Sequence, residues 1–138
     1  MKLLDTNTLT HLFASHPRVL ERYRGEADEV ATTIVSRIEV LQGRFSTLLK
    51  AATGPELRRA QRWLDQTVEH LASIATVPVD DTAADEFDRL RANKKLKKIG
   101  RADLLIAAVT LANKATLVTR NEKDFRQVPG LKIENWVD

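Results

Sequence analysis

Three acidic residues far apart in the chain, Asp5, Glu39 and Asp103, are of the type that holds a hard divalent cation. Asp124 adds a further acid close to the neutral Asn121. Carboxylates gathered within a few ångströms repel one another and tend to take up protons, and a bound cation removes that penalty. Oxygen ligands with no Cys or His among them suit Mg2+, or Mn2+, rather than zinc. A cation so held grips phosphate oxygens, lowers the pKa of a bound water and stabilises a leaving oxyanion. The chemistry indicated is metal-assisted cleavage of a phosphate ester, provided that folding brings these residues together.

Asp103 is the most informative of them. It is the only charge between Ala102 and Ala112, a segment apolar nearly all round and so expected to be a buried helix. A carboxylate entering a core costs on the order of several kcal/mol unless compensated. A helix N-terminus returns only ~0.3–1 kcal/mol at exposed sites, so a cation is the stronger compensation. Each acid also has an ordinary explanation. Asp5, ahead of Thr6 and Asn7, reads as a helix N-cap. Ser36-Arg37-Ile38-Glu39 matches the capping box, in which the Glu reaches back to the cap. Asp103 suits a first helical turn, and Asp124 can cap a turn or pair with Arg126.

The elements that must position these groups alternate between strand and helix. Lys2-Leu3-Leu4 is a short strand ending at Asp5, followed by helices over about 6–14 and after Pro17. The β-branched run 30–35 reads as a second strand, and a helix opens at Ser36 with Ile38, Leu41, Phe45, Leu48 and Leu49 as its core face. Gly54-Pro55 breaks that helix, and the next runs through Leu57, Ala60, Leu64, Val68 and Leu71. Residues 75–79, with Pro78, read as an edge strand. A helix over about 82–97, the buried helix 102–112 and strands at 116–119 and 131–134 complete the order.

No tight hairpin joins two strands, so the sheet is expected to be parallel, with helices on both faces. Sites in such sheets form at the carboxyl ends of the strands. Asp5 ends a strand, and Asn121 and Asp124 follow one. Glu39 and Asp103 lie near helix N-termini, which share that rim. Residues distant in sequence therefore converge on one edge.

The 138 residues carry no repeat and no linker-like stretch, and are read as a single domain over 1–138. With 43% hydrophobic and 30% charged residues the composition is that of a globular protein, and no run of about 20 apolar residues offers a membrane span. The absence of Cys excludes disulfides and thiolate metal sites, and suits a cytoplasmic setting. The opening Met1-Lys2-Leu3-Leu4-Asp5 lacks a signal-peptide layout. A net charge of +3 permits a polyanionic partner without demanding one. The positions of the cations matter more. Lys94, Lys95, Lys97, Lys98 and Arg101 form a basic run leading directly to Asp103, and Arg120 extends it, as do Arg37 and Arg44. Such a run binds phosphates without reading sequence, or is a solvated helix end. His11, His16 and His70 lack ligand spacing and read as surface or packing residues. Trp63 and Trp136 read as packing or interface residues.

Four motifs in order resemble those of PIN domains, and of the VapC toxins among them. They are Leu3-Leu4-Asp5-Thr6-Asn7, Ser36-Arg37-Ile38-Glu39-Val40, residues 99–108 with Gly100-Arg101-Ala102-Asp103, and residues 117–125 with Thr119-Arg120-Asn121. Val128-Pro129-Gly130-Leu131 extends the last. The resemblance covers essentially the whole chain. It implies a PIN-like three-layer α/β/α sandwich with a parallel sheet in strand order 3-2-1-4-5. It implies a Mg2+-dependent endoribonuclease that cleaves structured RNA, mainly tRNA, leaving 5′-phosphate and 3′-hydroxyl ends. It also implies a homodimer, silenced by a VapB-type antitoxin whose C-terminal segment wraps the toxin. By the same resemblance, Asp5 and Asp103 are the metal ligands, Glu39 completes the pocket, and Thr6 and Asn7 orient Asp5. This chain departs from the pattern at Asn121, where many members carry an acid. Asn121 with Thr119 then ligates water, and Asp124 supplies the remaining charge.

Two other functions share some of these features. A haloacid dehalogenase-like phosphatase also has an Asp after its first strand, but needs a second Asp two residues on, where Asn7 stands. A non-catalytic RNA-binding module would not need the acids at all.

Overall fold

The apolar pair Leu3-Leu4 determines where the layers lie. In a strand, successive side chains point to opposite faces. Both leucines are fully buried, so both faces of the first strand, β1 (Lys2–Leu4), must be covered. Leu3 packs with Ala31, Ala83 and Val109 on one face, and Leu4 with Leu9, Val19, Val118 and Trp136 on the other. The computed structural model describes residues 1–138 and has the three layers this arrangement requires.

The sheet is five-stranded and entirely parallel, in the order β3-β2-β1-β4-β5, with β2 at Val30–Thr33, β3 at Ala75–Val77, β4 at Thr116–Val118 and β5 at Lys132–Glu134. This is the expected strand order, and β3 lies at an edge as expected, although it stops at Val77, before Pro78, rather than running to residue 79. Helices α1 (Thr6–Phe13), α2 (Pro17–Gly25), α3 (Ile34–Lys50) and α4 (Gly54–Ala72) contribute to the face that holds Leu4. Helices α5 (Asp81–Ala92) and α6 (Arg101–Ala112) pack extensively on each other and cover the face that holds Leu3. A short helix, α7 (Glu122–Phe125), follows β4.

Two of the boundaries differ from the expected ones in ways that affect the site. Strand β2 ends at Thr33 rather than Val35, and Thr33 caps α3 by accepting from the Ser36 N–H at 3.1 Å. Ser36 is thus the third residue of the helix and not its cap, so the capping-box reading of Glu39 falls. The expected helix 82–97 stops at Ala92. Asn93 then caps a single 3-10 turn, Lys94–Leu96, and the basic run lies in a connection, not on a helix end.

The core face expected for α3 is also corrected. Ile38, Phe45 and Leu49 are 47%, 55% and 69% exposed, while Ser36 and Val40 are the buried positions. On α4, Ala60 and Leu71 are buried as expected, but Leu57 and Val68 face solvent. Both helices are longer than the sheet they cover, so part of each apolar stripe has no sheet beneath it. At the far edge, Lys2 clasps β1 to the Glu134 carboxylate of β5, which also accepts from Trp136 Nε1 at 3.0 Å. Burial alone would raise the Glu134 carboxyl. Hydrogen bonds from Lys2 and Trp136, with the Lys2 and Arg22 charges, outweigh it and hold the group below the ordinary range.

Candidate active site

The strand order reverses between β1 and β4, since β1 leads to β2 on one side and β4 to β5 on the other. At such a switch point the loops leaving the two strands diverge and open a crevice at their carboxyl ends. Asp5 leaves β1 there and Thr119 leaves β4, and the Thr119 hydroxyl donates to Asp5 Oδ2 at 2.6 Å. The other oxygen of Asp5 accepts the Thr8 N–H at 2.9 Å, so the N-cap reading holds as well and uses only one oxygen. Asp5 is 6% exposed, and charge-assisted hydrogen bonds of this kind compensate a buried carboxylate.

Glu39 reaches the same crevice from α3. Its Oε1 accepts from Thr6 Oγ1 at 2.5 Å, and Oε2 has no partner within the chain. Thr6 therefore holds Glu39, whereas the family resemblance had it orienting Asp5. Asp5 is held by Thr8 and Thr119 instead.

Asp103 arrives from the opposite layer, in the first turn of α6. Its helix is capped by Gly100, which has no side chain to offer the free N–H groups. Asp103 makes no hydrogen bond within the chain and is half-buried. Burial, first, and then the negative charges of Glu39, Asp5 and Asp124 push its carboxyl above the ordinary aspartate range. All three acids line one hollow of about 200 Å³ with Thr6, Asn7, Asn121, Ile106 and Phe125.

Asn121 stands on the rim. Its backbone N–H donates to Thr119 Oγ1 at 3.0 Å and its side-chain amide to Asp124 Oδ2 at 3.1 Å. Asp124 is not on the wall of the hollow but near enough for its charge to act on Asp103. The expected Asp124–Arg126 pair is not formed, and Arg126 pairs with Glu122 at 3.0 Å.

The donor set fits a hydrated hard cation better than a caged one. No three Asp, Glu, His or Cys groups close on a common point, as an all-protein zinc cage would require. Mg2+ keeps several of its waters and binds through one or two carboxylates plus substrate phosphates. Asp5 and Asp103, facing a shared hollow with room for water, match that mode, and the Asp103 carboxyl, raised by burial and by its acidic neighbours, has no counter-charge within the chain.

The basic run leads into the N-terminus of α6, the helix that carries Asp103. Lys94, Lys95, Lys97 and Lys98 are exposed and none forms an ion pair, while Leu96 and Ile99 between them are buried and anchor the segment. Arg101 lies over the Phe87 ring at 5.0 Å. Arg120 lines an open depression with Asp5, Asn7 and Asn121, and pairs with Asp138 at 3.2 Å. Arg37 and Arg44 turn instead to Thr76 and to Thr67 and Trp63. Among the histidines, His16 caps α2 and His70 packs on Phe13, neither near the hollow. Trp136 is buried in the core.

Sequence reasoning missed Ser36 as more than a helix cap. Its hydroxyl is wholly buried against Thr6 at 3.0 Å. The signal available was Thr33, a second cap residue three positions earlier, which moves Ser36 inside the helix.

Comparison with known proteins bears on the same residues. The PIN domain profile matches residues 2–131. The Ribonuclease VapC2 of Rickettsia felis is 55% identical in sequence alignment, over 97% of this chain and 96% of that one. The tRNA(fMet)-specific endonuclease VapC of Salmonella typhimurium is 25% identical, again over 97% and 96%. The crystal structure of VapBC2 from Rickettsia felis, bound to a DNA fragment from the promoter, superposes with a TM-score of 0.79. That superposition covers 98% of both chains at 25% identity. The two identities to the Rickettsia felis protein differ with the alignment, and the profile match stands independently of either. The chain belongs to the PIN-domain family, among the VapC ribonucleases.

Proposed function

We propose that this chain is the toxin of a toxin–antitoxin pair, an endoribonuclease that hydrolyses phosphodiester bonds in structured RNA. The observation that carries the reading is the partnerless Asp103, set against Asp5 and Glu39 in one hollow at the switch point of the sheet. The substrate class is tRNA, by likeness to the Salmonella relative named for it.

Asp5 and Asp103 are the residues that would hold Mg2+, with Mn2+ as a substitute. Bound there, the ion would neutralise the phosphate, acidify water and stabilise the leaving oxygen. The chain's own groups divide the remaining work. Thr8 and Thr119 fix Asp5 in direction. The unengaged Oε2 of Glu39 is the acceptor for the proton of the attacking water. Asn121 orients Thr119 and Asp124 together. Lys94, Lys95, Lys97, Lys98 and Arg101 bind the RNA backbone beside the open N-terminus of α6, and Arg120 exchanges Asp138 for a phosphate.

A VapB-type antitoxin is the partner, as in the VapBC complex the chain resembles. Ile38, Phe45 and Leu49, exposed at spacings of seven and four that put them on one face of α3, support a protein partner of this kind, because a row of large apolar side chains is seldom left in water. The reading further takes 1–138 as a single domain, a homodimer as the assembled state and the cytoplasm as the setting. No helix is long and apolar enough to cross a membrane.

The test is incubation of purified protein with total tRNA in Mg2+, in Mn2+ and in EDTA, followed by mapping of 5′-phosphate ends. Discrete cuts that require metal and vanish in Asp103→Asn are expected. Metal-independent cutting, or cutting that survives Asp103→Asn, would reject the assignment.

A further inference from the structure

We infer that Ser36 is a positioning residue for Glu39, acting through Thr6 along a one-way chain of hydroxyl groups. The inference rests on the nuclease reading for its consequence, but its geometry stands apart from it.

A hydroxyl has one proton to give. Thr6 Oγ1 lies 2.5 Å from Glu39 Oε1 and 3.0 Å from Ser36 Oγ. A carboxylate has no proton, so the Thr6 proton goes to Glu39. The Thr6–Ser36 contact can then form only if Ser36 donates and Thr6 accepts. Ser36 Oγ, in turn, is 3.3 Å from Thr33 Oγ1 of the α3 cap, and its single proton is already committed to Thr6, so towards Thr33 it can only accept. Thr33 therefore gives its proton to Ser36. The polarity is set throughout: Thr33 donates to Ser36, Ser36 to Thr6, and Thr6 to Glu39.

Thr33 and Ser36 are fully buried, so water cannot stand in for either. Each link also strengthens the next, since a hydroxyl that accepts becomes a better donor. The chain holds one oxygen of Glu39 and leaves Oε2 to the hollow. Ser36 touches neither the hollow wall nor any acid, so its effect on Glu39 must pass through Thr6.

The experiment compares Ser36→Ala, Thr6→Val and the double variant in two assays. In tRNA cleavage, Ser36→Ala should lower kcat about tenfold with KM unchanged, the scale of one hydrogen bond. Thr6→Val should lower it further, and the double variant should match Thr6→Val alone. In proton NMR of the metal-free protein, the Thr6 hydroxyl should exchange slowly in the parent and be lost to exchange in Ser36→Ala. Losses that multiply in the double variant, or a Thr6 hydroxyl signal untouched by Ser36→Ala, would overturn the inference. Ser36→Cys, which keeps the volume with a far weaker donor, replaces Ser36→Ala if the latter does not fold. If the parent cuts no RNA, the nuclease reading fails and the NMR result alone decides the role of Ser36.

Discussion

Asp5 and Asp103 face the same hollow from opposite layers, yet the fold treats them differently. Asp5 is buried and gives both oxygens to donors of the chain, Thr8 N–H and Thr119 hydroxyl. Asp103 is half-buried and has no donor, and its carboxyl is raised by burial and by three neighbouring acids. One acid is part of what holds β1 to β4. The other is a cost to the folded chain that only a cation, or a proton, relieves. The difference separates a proposed ligand that is also structural, Asp5, from a proposed ligand that no group of the chain engages, Asp103.

The largest expected effect leaves the two alike. Asp5→Asn and Asp103→Asn should each lower RNA cleavage about 10²-fold or more, as loss of a major electrostatic group does elsewhere. Cleavage rates on tRNA check this, and a variant that keeps parental activity would remove its residue from the site.

Stability should then divide them. Asp5→Asn turns an amide donor towards a donor, and is expected to cost about 1–3 kcal/mol in urea unfolding of the metal-free protein. Thr119→Val strands the same oxygen, and also the Asn121 N–H, at a similar cost and with reduced cleavage. Asp103→Asn should instead raise the melting temperature of the metal-free protein at neutral pH by about 2 °C, a modest figure because solvent screens its open side.

The sign follows from linkage. A carboxyl whose pKa is raised in the folded state costs nothing below its unfolded pKa. Its cost grows as pH climbs and is complete above the folded value. Melting curves of the parent and Asp103→Asn should therefore coincide in acid and separate as pH rises through the Asp103 pKa. Glu134 behaves in the opposite sense. Its lowered pKa contributes stability that is present near neutrality and fades as pH falls through its folded value.

The smallest effect lies outside the hollow. Neutralising Lys94, Lys95, Lys97 and Lys98 should leave melting unchanged within about 0.5 kcal/mol, since all four are exposed and unpaired. It should weaken RNA binding and reduce the salt slope by up to about 3, at about 0.7 for each phosphate no longer neutralised. Equal slopes for parent and variant would mean that the run is solvated surface.

Much of the fold is legible in the sequence. Short apolar and β-branched runs place β1, β2 and β4, a stretch apolar all round places α6, and the parallel direction of the strands follows from the lack of hairpins. The rim position of the acids follows from where strands end and helices begin. What is not legible depends on tertiary context. Ile38, Phe45 and Leu49 have the spacing of a core face, but sequence does not reveal that no layer lies against them. Ser36 and Thr33 are both good caps, and the end of β2 pairing decides between them. The partners of Asp5 and Glu39 could not be assigned, because Thr119 and Thr6 are hydroxyl residues whose direction depends on a neighbouring strand or helix.

The direct test is titration of the metal-free protein with Mn2+, followed by the loss of free-ion EPR signal, for the parent, Asp5→Asn and Asp103→Asn. Saturable binding in the parent that is lost in both variants is the predicted result. Undiminished binding in Asp103→Asn would contradict the claim that this unpartnered carboxylate is held in place for a cation.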